Sequence, residues 1–551
     1  MSDEYAKLWV KDSVNHFYID IFHKLKRSSQ FHDCVVQIKV NDKEKDESLA
    51  NEYRQSGNEL FDKGGYNEAI EMYNKSLCFA RNDQLGLVYA DRAFCFLNLG
   101  MHHECLADIE LAKRANYPVS QMSNLEQRKS FCLCQMGASS TPPPLEPKMS
   151  FEEDDNMPCV ANVLAIKRHP IFDRLFLANC DIEEDKVVLI EKPLVKFFNG
   201  DNFKRCHKCL QRNTNLVPCR VCTKALFCDG PCITKNYHQY ECNMQFLKCF
   251  EGKSGRLYQN CVQFLIRMVV VGLETNETAQ ELMTFVEGFR AQSSRADVIL
   301  NDGTANSMLG VCLTHLSLVP YAKGQIKTLI IACIAFDIIM DRPDLAKKFQ
   351  AIDTQRFLMH YLTHLAAMFI ANNILLQSWS YNMIDIIQND GKETFGVALF
   401  NLSTYFNHNC MPNAVRLTTS NHVIIKTIRP IKKGEQICVR YGIDPLWSTS
   451  KRRRHLYTLC AFYCNCELCS SDGPSPNEMP IVKSEFDNLA MEMTPLIFSR
   501  SKDAEKWQSI KDKLFKFVIK YEYMPITSSI IQAYEFIKMI INRDLFYSTS
   551  F

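Results

Sequence analysis

The sequence predicts an α+β chain. A β-rich core is interrupted by a metal-binding module and a helical insert, with helical repeats before it and a helical region after it. Three observations carry this expectation. A weak internal repeat runs from Leu49 to Gly137. Eight cysteine and histidine residues at metal-ligand spacing fall within residues 206–242. Strand-like apolar runs flank that module, at Leu175–Ala178 and Val187–Ile190 before it and at Ile424–Ile428 and Ile437–Tyr441 after it.

The chain of 551 residues is long enough for several domains with a sizeable core. Its 64 Lys and Arg nearly balance 62 Asp and Glu, so no direct nucleic-acid partner is expected. The start, Met1-Ser2-Asp3-Glu4-Tyr5, is polar and acidic and lacks the pattern of a signal peptide. The most apolar run, Thr328 to Met340, carries Asp337. It is shorter than the ~20 residues a bilayer span needs and reads as a buried helix, so no membrane partner is expected. Without a signal peptide, the 25 cysteines point to reduced thiols and zinc rather than disulfides. The expected location is cytoplasmic and nuclear.

After an N-terminal segment (1–48), residues 49–138 carry the repeat. Gly57-Asn58-Glu59-Leu60-Phe61 precedes Gly65-Tyr66-Asn67-Glu68-Ala69-Ile70 and Tyr73. Roughly 36 residues on come Ala93-Phe94, Gly100, Ala107 and Ala112, and a partial third copy starts near Lys129. Small residues let antiparallel helices approach, while large ones fill the groove between pairs. The pattern resembles tetratricopeptide repeats. It serves either a peptide-binding array or a plain stack of helical hairpins, and it shows no carboxylate clamp. A linker (139–158) follows, proline-rich at Thr141–Pro147 and acidic at Glu152–Asp155.

Residues 159–205 hold the first strands of the core. The module at 206–242 then supplies Cys206-x2-Cys209, Cys219-x2-Cys222, Cys228-x3-Cys232 and His238-x3-Cys242. Eight sulfur or imidazole ligands make two closed tetrahedral zinc sites with no position for water, so these sites are structural. A segment this short folds only with its metal. The order resembles a MYND finger, whose ligands interleave. By that resemblance one ion takes Cys206, Cys209, Cys228 and Cys232, and the other Cys219, Cys222, His238 and Cys242.

Residues 243–383 form the helical insert. Leu257, Cys261, Phe264, Leu265 and Met268 share one helical face, as do Leu358, Tyr361, Leu362, Leu365 and Phe369. His360 and His364 stand one turn apart, either as a metal pair or, the favoured reading, as packed side chains. His315 lies in the same region.

The core's second half (384–450) contains Asn407-His408-Asn409-Cys410-Met411-Pro412-Asn413 and then Gly434-Glu435-Gln436 before Val439-Arg440-Tyr441-Gly442. A segment at 451–470 ends in Cys464-Asn465-Cys466-Glu467-Leu468-Cys469, and 471–551 reads as helices. There Trp507, Ile510, Leu514, Phe517, Val518 and Tyr521 form one stripe, and Ile530, Ile531, Tyr534, Ile537 and Ile541 another.

Together the Asn-His, Gly-Glu/Tyr and Cys-x-Cys-x2-Cys segments resemble the C-terminal half of a SET methyltransferase domain. With the finger and the repeats, the whole resembles the tetratricopeptide-bearing branch of the SET and MYND domain (Smyd) protein-lysine methyltransferases. The resemblance implies a β-rich SET domain split by the finger and the insert. It implies S-adenosylmethionine as methyl donor, bound by Arg174, Asn372, Asn407, His408 and Tyr441, with Tyr441 as the catalytic residue. It implies a third structural Zn2+ on Cys410, Cys464, Cys466 and Cys469. The partners implied are a lysine-bearing protein substrate, histones among the candidates, and proline-rich peptides for the finger.

Departures from the family pattern stand beside this. Asp173 replaces the glycine that lets backbone approach the cofactor. Cys460 replaces the second aromatic of the lysine channel, Asn409 intervenes before Cys410, and Gln436 replaces an acid. Asp173 and Cys460 favour an alternative, a catalytically weak adaptor that binds partners through its finger and repeats, whereas Arg174, Asn407, His408 and Tyr441 favour the enzyme, the leading reading.

Overall fold

The computed structural model describes residues 45–136, 147–169, 173–198, 203–212, 215–228, 230–234, 237–242, 253–292, 309, 312, 321–379, 392–460, 462–499, 501 and 503–549. The proline-rich run, His315 and most of the N-terminal segment lie outside them. The chain forms two compact units. One comprises Met1–Pro142, Phe197–Glu274 and Cys333–Ile352; the other Pro143–Lys196, Thr275–Ala332 and Asp353–Phe551.

In the first unit five helices follow one another: α1 (Glu47–Asp62), α2 (Tyr66–Phe79), α3 (Leu85–Asn98), α4 (His102–Arg114) and α5 (Met122–Met136). Asp46 caps α1 by accepting from the Leu49 N–H. A Cβ on Gly57 would lie 2.5 Å from the Tyr73 ring, so only glycine lets α1 and α2 approach this closely. Ala69, Ala93 and Ala112 are fully buried at the matching positions of α2, α3 and α4.

The cysteine module packs on this array. Ala50, Cys78 and Phe79 share a core with Leu216, Ala225, Leu226 and Phe227. Polar groups bind the same seam. Arg92 pairs with Asp108 at 2.7 Å, both fully buried, and also donates to Asn74 Oδ1 and Leu216 O. Asn215 donates to Asp108 and Glu104 O, and Asn74 donates to Phe203 O. On the module's other side Arg267, in the helix Lys253–Thr275, forks onto Glu241 and lies over the Phe197 ring.

The second unit is built on a five-stranded sheet in the order Glu153–Asp154, Met157–Ala161, Val187–Glu191, Val423–Thr427 and Ala414–Thr418. Its pairings are antiparallel, with Leu417 opposite Ile424 and Ile424 opposite Ile190. Alternation sends Val415, Leu417 and Ile424 toward the helices Pro480–Phe498, Ala504–Lys520 and Ser528–Thr549, where both expected apolar stripes enter one core except for Ile531, which packs instead with Cys410 and Leu456. The buried amine of Lys511 fixes this bundle to the Asp185 turn (φ +61°) while also pairing with Asp544.

Three local structures differ from expectation. The helices Lys253–Thr275 and Ile352–Asn372 bury far more than one stripe, including Val262, Ile266 and Val270 in the first and Met359, Ala366 and Met368 in the second. The strand expected at Ile437–Tyr441 is limited to Cys438–Val439, and Tyr441 lies beyond its end. Within the segment expected as a linker, Glu153 and Asp154 form the edge strand, while Glu152, Glu153 and Asp155 stay exposed. Among the described residues no helix is long and apolar enough to cross a membrane.

Candidate active site and metal clusters

The site is assembled from segments far apart in sequence. Asn407 and His408 form a two-residue parallel pairing with Cys438 and Val439. The preceding segment, Gly434–Ile437, is bound along the strand Asp173–Ala178: Gly434 N–H donates to Ala178 O, Ala178 N–H to Glu435 O, and Ile437 N–H to Phe176 O. Asn407 Nδ2 closes the ring by donating to Arg174 O at 3.3 Å. Arg174, Asn407, His408 and Tyr441 therefore belong to one group.

Glu191 ends the strand Val187–Glu191 and holds the approach to this group. Its carboxylate accepts from the backbone N–H groups of Asn401, Leu402 and Ser403 at 2.8–2.9 Å. This fixes the short 3-10 turn Leu402–Tyr405 that delivers the chain to Asn407. Burial pushes the Glu191 carboxyl up, and those three donors pull it back.

His408 links two halves of the site. The Tyr441 N–H donates to His408 Nδ1 at 3.0 Å, so the ring proton sits on Nε2, which lies 3.3 Å from Cys410 Sγ. Burial lowers the imidazole to about 4, keeping it neutral. The Tyr441 hydroxyl donates to Phe406 O at 2.8 Å. Burial pushes this phenol up to about 12, with the Arg416 guanidinium pulling against it. The Arg174 guanidinium donates to the Tyr405 hydroxyl and stacks on its ring. Asn372 closes the helix Ile352–Asn372, buried, its amide donating to Met368 O one turn back.

Three side chains here went unassigned in the sequence. Phe462 packs its ring 5.9 Å from His408 and 6.5 Å from Tyr441. Arg416 stands 5.5 Å over the Tyr441 ring. The third is Glu191, whose role as anchor of the 401–403 turn has no signal in its own segment. The signal for Phe462 was an aromatic two residues before Cys464; for Arg416 it was a charge inside an apolar strand.

All twelve expected metal ligands fall into three clusters: Cys206, Cys209, Cys228 and Cys232; Cys219, Cys222, His238 and Cys242; Cys410, Cys464, Cys466 and Cys469. In each, the ligand atoms lie within 4.8 Å of one another. A tetrahedron with Zn–S bonds near 2.3 Å puts its sulfurs about 3.8 Å apart. Here Cys209–Cys228 is 3.6 Å, Cys219–Cys242 3.8 Å, Cys410–Cys464 3.9 Å and Cys410–Cys469 3.6 Å. Cys222 Sγ to His238 Nε2 is 3.4 Å. The donors and spacing fit zinc. One thiol in each cluster, Cys206, Cys219 and Cys466, is held far below its ordinary value, chiefly by hydrogen bonds from neighbouring cysteines. Arg452, fully buried, donates to Leu468 O and lies 3.5 Å from Cys469 Sγ, supplying positive charge to the third cluster. A further group, His207, His238 and Glu241, shares His238 with the second cluster, and its Glu241 is committed to Arg267. No ligand cluster among the described residues includes His360 or His364.

The SET domain family matches residues 174–442. Protein-lysine N-methyltransferase SMYD4 of Danio rerio is 26% identical over 243 residues, 38% of this chain and 32% of that protein. The Homo sapiens protein of that name is 21% identical over 542 residues, 76% of this chain and 67% of that protein. Potential protein lysine methyltransferase SET6 of Saccharomyces cerevisiae is 42% identical over 84 residues, 15% of this chain and 22% of that protein. The alignments thus span from about a fifth to two thirds of these relatives. Among solved structures, the SET domain of LSMT bound to lysine and AdoHcy covers 71% of this chain and 88% of that one at 8% identity, with a TM-score of only 0.23.

The pairing of Asn407–His408 with Cys438–Val439 lies inside the segment that the SET domain family matches. SMYD4 proteins align along about three quarters of its length, so the chain is similar to the SET and MYND domain proteins.

Proposed function

We propose that this chain is a protein-lysine N-methyltransferase whose methyl donor is S-adenosylmethionine. The observation that carries the reading is the ring of contacts joining Arg174, Asn407, His408 and Tyr441. When bound, the donor supplies an electrophilic methyl group; the chain's residues bind and orient. Asn407 is half-buried and its Oδ1 accepts from no described residue, which suits an amino group of the donor. His408, neutral and tied at both nitrogens, holds the strand in place. Phe462 offers a flat apolar face. Tyr441 presents a neutral hydroxyl whose lone pairs can orient an incoming amine. Arg174 and Asn372 complete the proposed donor-binding set.

The finer assignments belong to the same proposal. The helices α1 to α5 are tetratricopeptide-like, residues 206–242 are a MYND finger, and three structural Zn2+ ions fill the three clusters. The substrate is a lysine of a protein, histones among the candidates; the finger takes proline-rich peptides; the chain works in cytoplasm and nucleus. A second reading, an adaptor with weak catalysis, is favoured by Cys460, which leaves Tyr441 without the second channel aromatic.

Calorimetric titration of zinc-replete protein with S-adenosylmethionine and S-adenosylhomocysteine tests the reading. Micromolar binding that Asn407→Ala abolishes supports it, and Tyr441→Phe should then bind the donor while losing turnover. No binding by folded, zinc-loaded protein rejects it and leaves the adaptor.

A further inference from the structure

Arg416 is at odds with the strand that carries it. Along Ala414–Thr418, Val415 and Leu417 enter the core shared with the C-terminal helices, so alternation turns Arg416 to the opposite face. There its Nη2 donates to Ser403 O at 3.2 Å, and its guanidinium carbon lies 5.5 Å from the centre of the Tyr441 ring. Its Nε is closed to solvent and meets no hydrogen-bond partner among the described residues.

The charged and titratable groups facing it are the Tyr441 phenol, the Cys460 thiol and the Glu191 carboxylate. Around Tyr441 stand His408 and Phe462, and Arg174 lies nearby on Tyr405. Glu191 is engaged by three backbone N–H groups, and Cys460 and Tyr441 are neutral, each raised by burial to about 11 and about 12. Among the described residues Arg416 makes no ion pair. A guanidinium does not give up its proton in a protein, so a positive charge stands beside the tyrosine, opposed in part by the buried Glu191 carboxylate.

We propose that Arg416 sets the charge preference of the methyl-transfer site. Its fixed cation disfavours a further positive charge at the reacting centre, weakening the hold on the sulfonium donor as well, and admits the substrate lysine as its neutral amine. This deepens the methyltransferase reading and rests on it. Only the unprotonated amine has the lone pair that attacks; the proton is left with water outside. Two unit charges some 7 Å apart at an effective dielectric near 20 repel by enough to lower an ammonium pKa by roughly one to two units. A second aromatic wall at position 460 would instead have attracted a cation. Cys460 and Arg416 together thus give this chain a site that selects charge in the opposite sense.

The test needs no substrate. Sinefungin carries an ammonium where the methyl donor carries its sulfonium, whereas S-adenosylhomocysteine is neutral there. Dissociation constants for both are measured on the zinc-loaded full chain, for wild type, Arg416→Met, Arg416→Gln and Arg416→Lys. Taking the ratio cancels general damage to the pocket. The expected result is a ratio shifted at least tenfold toward sinefungin in Arg416→Met or Arg416→Gln, and near wild type in Arg416→Lys. An unchanged ratio in the neutral variants overturns the proposal. So does an equal shift in Arg416→Lys, which would make Arg416 a packing residue. Wild type binding neither ligand would reject the methyltransferase reading itself, and the role of Arg416 with it.

Discussion

His408 and Tyr441 are joined through the backbone. The Tyr441 N–H donates to His408 Nδ1 at 3.0 Å, while the opposite ring nitrogen faces Cys410 Sγ at 3.3 Å. One imidazole therefore ties the segment that ends in Tyr441 to a metal-ligand thiol. Replacing it by an isosteric ring without nitrogens, His408→Phe, releases both ends. Outer partners of metal ligands are typically worth about 10–100-fold in metal affinity. The variant should lose one equivalent of zinc to a mild chelator faster than wild type and lose donor binding with it. Metal content by mass spectrometry and calorimetry with S-adenosylhomocysteine read the two effects. Loss of donor binding with unchanged zinc release would show that the Cys410 contact carries no weight.

Arg92 and Asp108 form a fully buried pair that also holds Asn74 and Leu216. Removing only the cation strands a carboxylate in the interior, which costs about 3–5 kcal/mol. Arg92→Met should destabilise the first unit by that amount, read as a lower urea midpoint at unchanged m. Arg92→Met with Asp108→Leu removes both charges and should recover part of the loss. If the double variant is no better than the single, the backbone acceptor Leu216 O and not the pair dominates.

Much of this arrangement was legible in the sequence, and the reasons differ by element. The three cysteine and histidine clusters could be read because a closed metal site requires a fixed count of donors at short spacings. The sheet strands 187–191 and 423–427 could be read because they are short continuous apolar runs, and the last two helices because their apolar residues recur at a period of 3.6. The small residues Gly57, Ala69 and Ala93 marked close helix approach and occupy it. The pairing of Asn407–His408 with Cys438–Val439 has no period, being two residues long; only the family resemblance pointed there. Tyr441 was expected at a strand end but sits beyond a strand of two residues. Arg416 and Phe462 escaped because their importance lies in what they face, and Tyr441, which both face, is more than 20 residues away in the chain.

The cysteine module and the first helices share a core in which Ala50, Cys78 and Phe79 meet Leu226 and Phe227. The Lys45 amine adds a bond from this side to Cys219 O at 2.9 Å. A module too small to fold alone loses its shape when its metal leaves, so stripping the metal should also loosen α1 and α2. Hydrogen exchange of the full chain with and without a strong chelator measures this. The expected result is faster exchange across residues 216–228 and 47–79 together, with the sheet strand 423–427 unchanged. Helices that keep their protection after metal loss would contradict a shared fold.

Glu435 sits in the turn that places Gln436 and the strand Cys438–Val439. Its carboxylate accepts from Arg429, from Asn413 Nδ2 at 3.0 Å and from the Lys432 N–H at 3.1 Å. Burial opposes the charge, but these partners outweigh it and hold the carboxyl below its ordinary 4.5. A carboxylate whose folded value is depressed adds stability that is fully present above the unfolded value. That stability drains away as pH falls through 4.5 toward the folded value. Glu435→Gln should therefore be less stable than wild type at pH 7, with the gap narrowing below about pH 4.5 as the wild-type side chain takes up its proton. Because acid also strips thiolate-bound metal, the readout is the difference in melting temperature between the two proteins at each pH, which cancels that common loss. A gap that stays constant between pH 7 and pH 3.5 would mean that Glu435 acts through shape and hydrogen bonding, and that its charge contributes nothing to holding the turn.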